Sequence, residues 1–365
     1  VARLGGDEFA VILTRLDQRA DEVELGQQVV DLLEETFLIE GLELDVHASI
    51  GVAVAPDHGI DAATLMRHAD VAMYVAKRTR AGVEVYAEAD DVFNAERLEL
   101  AAEVRRAVDQ HELVVFLQPK VEVATHRTKG VEALVRWQHP ERGLVGPGEF
   151  MPVVESTELI TPLTLEVLDL SLAALSELLE RGYDLTVAVN LAAASLSDLE
   201  LPSLVADALV RHGVSSDHLE LEITETSLLG DPGRVLRVLN ALSEMGITLS
   251  VDDFGTGYAS LAYLTELPVD VVKIDQSFIR DLSDPHNLAV TRYSIELSRT
   301  LGLVTVAEGV EDPLTLDTLN GLGCDLVQGY HFSKPLPLAE LLDWLDGRAE
   351  DQPTKRRIDA GTERT

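Results

Sequence analysis

Between residues 113 and 328 the chain carries eight short apolar runs, each with a polar residue at or near its end. They are 113–118 with Gln118, 130–136 with Glu132, 185–190 with Asn190 and 219–224 with Glu222. The series continues with 247–253 and Asp252-Asp253, 269–275 and Lys273, 303–308 and Glu308, and 325–328 and Gln328. Most intervals, such as 190 to 222 and 222 to 252, hold one helix plus one strand. Eight strands with intervening helices predict a β/α barrel. In such a barrel the strand carboxyl ends converge on one face, where active sites sit.

One interval breaks the pattern. Only 14 positions separate Gln118 from Glu132, and Thr125-His126-Arg127-Thr128 lies between two strand-like runs. That is a hairpin, too short for a parallel crossover. One of the first two strands is therefore expected to run antiparallel to the others, making the α/β barrel atypical.

Ahead of it, residues 1–87 read strand, helix, strand, helix, strand. Val11-Ile12-Leu13 is a short apolar run, 21–37 and 61–78 carry helical spacing, 44–54 alternate, and 83–86 form a last short strand. Residues 88–110 are expected to connect the two parts, with an amphipathic helix at 92–110 presenting Leu98, Ala101, Val104 and Val108. The barrel is expected over 111–347 and a disordered polar tail over 348–365.

Charge narrows the function classes. Asp and Glu number 64 against 29 Lys and Arg, a net charge of −35. This disfavours a nucleic-acid polymer as partner, which needs a basic stripe, and a polybasic membrane surface protein. Cys324 is the single cysteine, which excludes an internal disulfide and fits a reducing cytosol. No apolar run reaches the roughly 18 residues of a membrane span, so a cytoplasmic location is expected. The chain begins Val-Ala-Arg without an initiator Met, and an upstream portion, including any membrane anchor, is expected to lie outside it.

The strand ends and nearby loops collect Glu132, Glu222, Glu225, Asp252, Asp253, Asp275, Glu308 and Glu311, with Asn190 and Lys273. So many carboxylates in one mouth repel each other without compensating cations. Hard oxygen ligands in this number suit Mg²⁺ or Mn²⁺ and leave room for two ions. Adjacent Asp252 and Asp253 cannot both point inward from a regular strand, so the strand must end there if both bind metal. A two-ion carboxylate cage is the usual apparatus for in-line displacement at a phosphodiester. Any one of these acids can instead cap a helix; eight polar strand ends in phase are harder to explain that way.

Glu132-Ala133-Leu134-Val135-Arg136-Trp137 resembles the signature of EAL-domain cyclic di-GMP phosphodiesterases. The resemblance continues through Gln118-Pro119, Asn190-Leu191, Glu222-Ile223-Thr224-Glu225 and Asp252-Asp253-Phe254-Gly255-Thr256-Gly257-Tyr258. Lys273-Ile274-Asp275, Ala307-Glu308-Gly309-Val310-Glu311 and Gln328-Gly329-Tyr330 complete it. It covers roughly 95–347, with Ala259 and Ala192 as minor departures. The resemblance implies hydrolysis of one phosphodiester of cyclic di-GMP to linear pGpG. By motif, Glu132, Asn190, Glu222 and Asp252 would hold one metal; Asp252, Asp253 and Glu308 would hold the second. Lys273 would orient the attacking hydroxide or offset transition-state charge, and Gln328 would position a ligand or water. Glu308 would be a ligand, a base or both. Arg136 would clamp a phosphate and Gln118 would touch the substrate. Glu225 would anchor the 253–261 loop, and Glu311 and Asp275 complete the catalytic set. A homodimer through the barrel is expected from the family.

Arg3-Leu4-Gly5-Gly6-Asp7-Glu8-Phe9 resembles the GGDEF hairpin of diguanylate cyclases. Ser49-Ile50-Gly51-Val52 and the segment from Ala69 to Lys77 resemble later parts of that family. Its first strand, with a further metal-binding Asp, would lie before residue 1. The partial domain is thus expected to expose apolar surface and to lack cyclase activity. The competing reading of the barrel is an inactive EAL-type receptor or protein-interaction module. An unrelated metal hydrolase and a bifunctional parent protein are the others.

Overall fold

The computed structural model describes residues 1–5, 8–14, 22–33, 37–39, 42–44, 48–79, 82–155, 157, 159–224, 232–255, 264 and 266–351. The chain divides into two compact units, Val1–Leu100 and Ala101–Thr365.

The first unit contains an antiparallel hairpin of β1 (Ala2–Gly5) and β2 (Glu8–Ala10), helix α1 (Glu22–Leu33) and a second hairpin, β3 (Phe37–Ile39) with β4 (Leu42–Leu44). Strand β5 (Ile50–Val52) follows, then helix α2 (Ala62–Thr79) and β6 (Val83–Val85), which lies parallel to β5. The expected strand at 11–13 is absent. Ala10 is the last residue of β2 with a partner, Ala2, and Val11, Ile12 and Leu13 are exposed. The helix expected to reach residue 37 ends at Leu33, and Phe37 opens β3 instead. The single strand expected over 44–54 is two elements, β4 and β5. Gly51 has a packing reason: a Cβ there would fall 1.9 Å from the Ala69 carbonyl oxygen, so α2 rests directly on β5. A small core of Val71, Ala72 and Tyr86 sits beneath, with Tyr86 stacked on His68 at 3.8 Å between ring centroids.

Helix α3 (Glu88–Asp109) crosses the division between the units and leads into the barrel. The barrel strands are β7 (Leu113–Glu122), β8 (Thr128–His139), β10 (Thr186–Leu191), β11 (Leu219–Thr224), β12 (Thr248–Phe254), β13 (Val271–Ile274), β14 (Val304–Ala307) and β15 (Leu326–Val327). They pair in the order β8, β10, β11, β12, β13, β14, β15, β7 and return to β8, closing the barrel. All neighbours are parallel except those of β7, which is antiparallel to both β8 and β15. The reversed strand is therefore the first. A short strand, β9 (Gly143–Val145), adds antiparallel to the end of β8 outside the barrel. Three residues are too few to produce a periodic signal.

The alternation of each strand decides what fills the barrel and what faces the helices. On β11, Leu219, Leu221 and Ile223 are buried on one face while Glu220 and Glu222 share the other. Burial of both faces explains why the strands read as continuous apolar runs. The outer ring comprises α4 (Pro147–Val154), α5 (Ile160–Glu180), α6 (Leu201–His212), α7 (Pro232–Glu244), α8 (Gln276–Ile279), α9 (Pro285–Leu301), α10 (Pro313–Leu322) and α11 (Leu338–Asp351). Residues 348–351, expected in the tail, belong to α11, and 352–365 lie outside the described residues.

Local sequence sets the helix limits. Helices α9 and α10 each begin Asp-Pro: Asp284 accepts hydrogen bonds from the His286 and Asn287 amides, and Asp312 accepts one from Thr315. Proline at the first helical position loses no hydrogen bond, and the Asp satisfies orphan amides. Both helices end at a left-handed glycine, Gly302 and Gly323.

Candidate active site

The site forms where alternate residues of the strands meet inside the barrel mouth. Gln118 on β7 lies opposite Glu132 on β8, and Asn190 on β10 lies opposite Glu222 on β11. Gln328 Nε2 donates to Glu132 Oε2 at 2.5 Å and to Gln118 Oε1 at 3.0 Å. Asn190 Nδ2 donates to the other Glu132 oxygen at 2.8 Å. Gln118 in turn donates to the Ser333 carbonyl. The Glu132 carboxylate is thus held on both oxygens by amides.

Lys273 is the hub. Its buried ammonium lies 2.7 Å from Glu222, 2.7 Å from Glu308, 3.1 Å from Asp252 and 3.8 Å from Glu132. Burial disfavours its charge, but Glu132, Glu222, Glu308 and Asp252 together outweigh this and hold the ammonium well above the usual lysine range. Burial likewise works against ionising Glu132, and Lys273, Gln328 and Asn190 reverse that, keeping it below the ordinary carboxylate range. Glu222 behaves oppositely: burial, reinforced by the Glu132 charge, pushes it well above. Glu308 is raised to about 7, first by burial, with Lys273 opposing and Asp252 adding.

The Asp pair departs from expectation in an informative way. The strand does not end at Asp252; pairing between β12 and β13 slips between Val251 and Phe254 and then resumes. Asp253 takes a left-handed conformation with φ +55°, a region that Asp tolerates better than most residues. This turn lets neighbouring carboxylates face the same space, and the Asp253 amide donates to Asp252 Oδ1 at 2.9 Å. Asp252, Asp253 and Glu308 each place an oxygen within 4.8 Å of the others. Burial and the Asp252 and Asp275 charges raise Asp253 to about 6.

The ends of β14 and β15 are fastened by backbone contacts. Val310 donates to the Gln328 carbonyl at 3.1 Å and His331 donates to the Val310 carbonyl at 2.9 Å. A Cβ on Gly329 would fall 2.1 Å from that Val310 oxygen, so only glycine permits the approach that aims Gln328 inward.

The remaining residues separate. Asp275 caps α8, accepting from the Ser277 amide at 3.0 Å, and lies beside Asp253. Arg136 is half-buried on the inward period of β8; it donates to the Val135 carbonyl and its guanidinium carbon lies 5.7 Å from the Phe116 ring centre. Glu311 is exposed, and among the described residues it is not joined to the cluster by a side-chain hydrogen bond or ion pair. Glu225 and residues 256–261 lie outside the described residues, as do Gly6 and Asp7 of the front hairpin. Two residues that the sequence reading missed are Lys120 and Glu220, buried below Glu222. Their signal was spacing: each lies two residues from a site residue on the same strand.

The residue pattern matches the EAL domain over residues 101–335. The chain belongs to the EAL domain family. Its residues 1–82 match the diguanylate cyclase GGDEF domain. Over 345 residues the chain is 40% identical to the bifunctional diguanylate cyclase/cyclic di-GMP phosphodiesterase MucR of Pseudomonas aeruginosa, covering 94% of this chain and 50% of that protein. The cyclic di-GMP phosphodiesterase NbdA of the same species is 37% identical over 348 residues, with 94% and 44% covered. A solved structure, the PaMucR phosphodiesterase in complex with c-di-GMP, has a TM-score of 0.64 at 41% identity, covering 67% of this chain and 99% of that one. The chain spans about half the length of the curated relatives it matches. Within this EAL domain, Glu132 begins the Glu-Ala-Leu triplet on β8 and projects into the mouth with Gln118, Asn190 and Gln328 around it.

The donor set suits a hard divalent cation. It consists of carboxylate and amide oxygens, and the buried Gln328 Oε1 has no hydrogen-bond partner among the described residues. Such atoms are costly to bury unless something else satisfies them.

Proposed function

We propose that the chain is a metal-dependent cyclic di-GMP phosphodiesterase releasing linear pGpG. The observation that carries this reading is the convergence of Glu132, Glu222, Asp252 and Glu308 on Lys273, with Asp253 turned back toward the same space. A polar, carboxylate-lined mouth is suited to binding cations that then meet a phosphate.

In this reading Glu132, Asn190, Glu222 and Asp252 would hold one Mg²⁺ or Mn²⁺, and Asp252, Asp253 and Glu308 a second. When bound, the ions supply positive charge that favours deprotonation of water and stabilises the phosphorane-like transition state. The chain's own groups do the rest. Arg136 binds a phosphate oxygen, and Lys273 keeps the carboxylates apart in fixed orientations while offsetting charge on the phosphoryl group. Glu308, raised to about 7, is suited to accept the proton lost by the attacking water. The water oxygen bonds to phosphorus, the bond from phosphorus to the 3′ oxygen breaks, and that oxygen takes a proton to become the 3′ hydroxyl. Glu311 and Glu225 are assigned to support of the loops around the mouth, and a homodimer through the barrel is part of the proposal.

The test is turnover of cyclic di-GMP by purified protein with Mg²⁺ or Mn²⁺. The expected result is pGpG from the wild type and at least a roughly 100-fold loss in Glu132→Ala, the scale on which removing one transition-state contact acts. Binding of cyclic di-GMP without turnover in either metal would refute the enzyme and support the receptor reading.

A further inference from the structure

Two charged side chains fill the barrel interior below the carboxylates and take no part in the reaction proposed above. Lys120 follows Gln118 by two positions on β7, and Glu220 precedes Glu222 by two on β11, so both share the inward face of their strands. Because β7 runs against the other strands, both steps lead away from the mouth. Lys120 Nζ lies 2.5 Å from Glu220 Oε2 and 3.6 Å from Glu222 Oε1, and the three side chains are 1%, 7% and 0% exposed. Glu222 Oε2 instead accepts from Lys273 at 2.7 Å. Each oxygen of Glu222 therefore faces a different ammonium. Small neighbours leave room for the pair: Gly130 lies opposite Lys120, and Ala188 lies opposite Glu220.

A buried ion pair contributes little to stability compared with apolar side chains of the same volume. Packing alone therefore gives no reason for Lys120 and Glu220 at this level. Their charges cancel, so the pair adds no net charge to the site. What it adds is the Lys120 ammonium, hydrogen-bonded to Glu220 and so held 3.6 Å from the inner oxygen of Glu222, an ion-pair contact longer than a hydrogen bond that favours one rotation of a carboxylate whose outer oxygen faces the mouth cluster. We propose that Lys120 and Glu220 are a positioning pair that orients Glu222 for divalent-cation binding. The proposal rests on the phosphodiesterase reading and adds to it two residues that touch neither substrate nor cation.

The test compares wild type, Lys120→Met and the double variant Lys120→Met/Glu220→Met by calorimetric titration with Mn²⁺, by thermal melting without metal, and by turnover. Wild-type protein that neither binds Mn²⁺ nor hydrolyses cyclic di-GMP overturns the phosphodiesterase reading and the pair's role with it. Where the wild type does both, Lys120→Met is expected to weaken Mn²⁺ binding about 10–100-fold, the usual cost of losing a group that orients a ligand. Removal of a positive charge acting only through its field would instead tighten a cation site. The double variant is expected to regain the wild-type melting temperature while keeping weak Mn²⁺ binding and low kcat. Wild-type Mn²⁺ affinity in either variant, or affinity that recovers together with melting temperature, overturns the positioning role. If Lys120→Met alone does not fold, the double variant decides the question by the same two readouts.

Discussion

At the scale of single residues, Lys273 carries the most electrostatic weight. It is the cation shared by Glu132, Glu222, Asp252 and Glu308. Removing one partner of a buried charge network costs about 3–5 kcal/mol because the others are left uncompensated. Lys273→Met should therefore lose about that much stability in metal-free urea unfolding, and turnover should fall with it. Glu308 and Asp253 give the site a pH dependence whose sign is determined by their upward shifts, to about 7 and about 6. Each carboxyl binds its proton more tightly folded than unfolded, so its contribution to stability is present at low pH. That contribution is lost as pH rises from about 4 to about 7, between the ordinary carboxyl range and the raised values. The melting temperature of metal-free protein should accordingly fall across this window relative to a Glu308→Gln variant. Metal affinity should rise over the same window, because cations compete with those protons. A flat wild-type profile matching that of the variant would contradict the assignment.

At the scale of elements, the decisive features are strand ends and the turns that follow them. Gly329→Ala should destabilise the chain by about 1–3 kcal/mol, the usual cost of overpacking, because the added carbon would meet the Val310 backbone. The same change should reduce turnover by displacing Gln328 from Glu132; equal activity per folded molecule would show that Gln328 does not depend on this contact. Much of this architecture was legible beforehand. Apolar runs marked the eight barrel strands, and the short interval between Gln118 and Glu132 marked the hairpin, though not which of its strands is reversed. Pairing of β7 with β15 makes that choice, and such long-range pairing leaves no local signal. The Asp252-Asp253 pair is incompatible with a regular strand, as its sequence implies, but the strand continues past it through a left-handed Asp253 instead of ending there. Asp275 combines two roles that its sequence position does not separate: its side chain caps α8 and also lies beside Asp253. Lys120 and Glu220 are not legible in the same way, because charged residues within a strand interior resemble ordinary polar alternation until the opposite strand is known.

At the scale of the whole molecule, the mouth concentrates negative charge that the fold only partly neutralises from within. Divalent cations that bind the folded mouth and not the unfolded chain should raise the melting temperature in proportion to the logarithm of their concentration. The stabilisation should reach about 2.7 kcal/mol at 100 times the dissociation constant. Scanning calorimetry over a Mg²⁺ series checks this, and a concentration-independent melting temperature would argue against a specific site. The reversal of β7 also changes how the barrel is wired to whatever precedes it. A uniformly parallel barrel receives its chain at the floor, far from the chemistry. Here the chain enters at the catalytic end, where Glu112 accepts from Trp137 Nε1 at 3.0 Å and from the Gln138 amide at 2.8 Å. The entry point is thus clamped to the tip of the strand that bears Glu132 and Arg136.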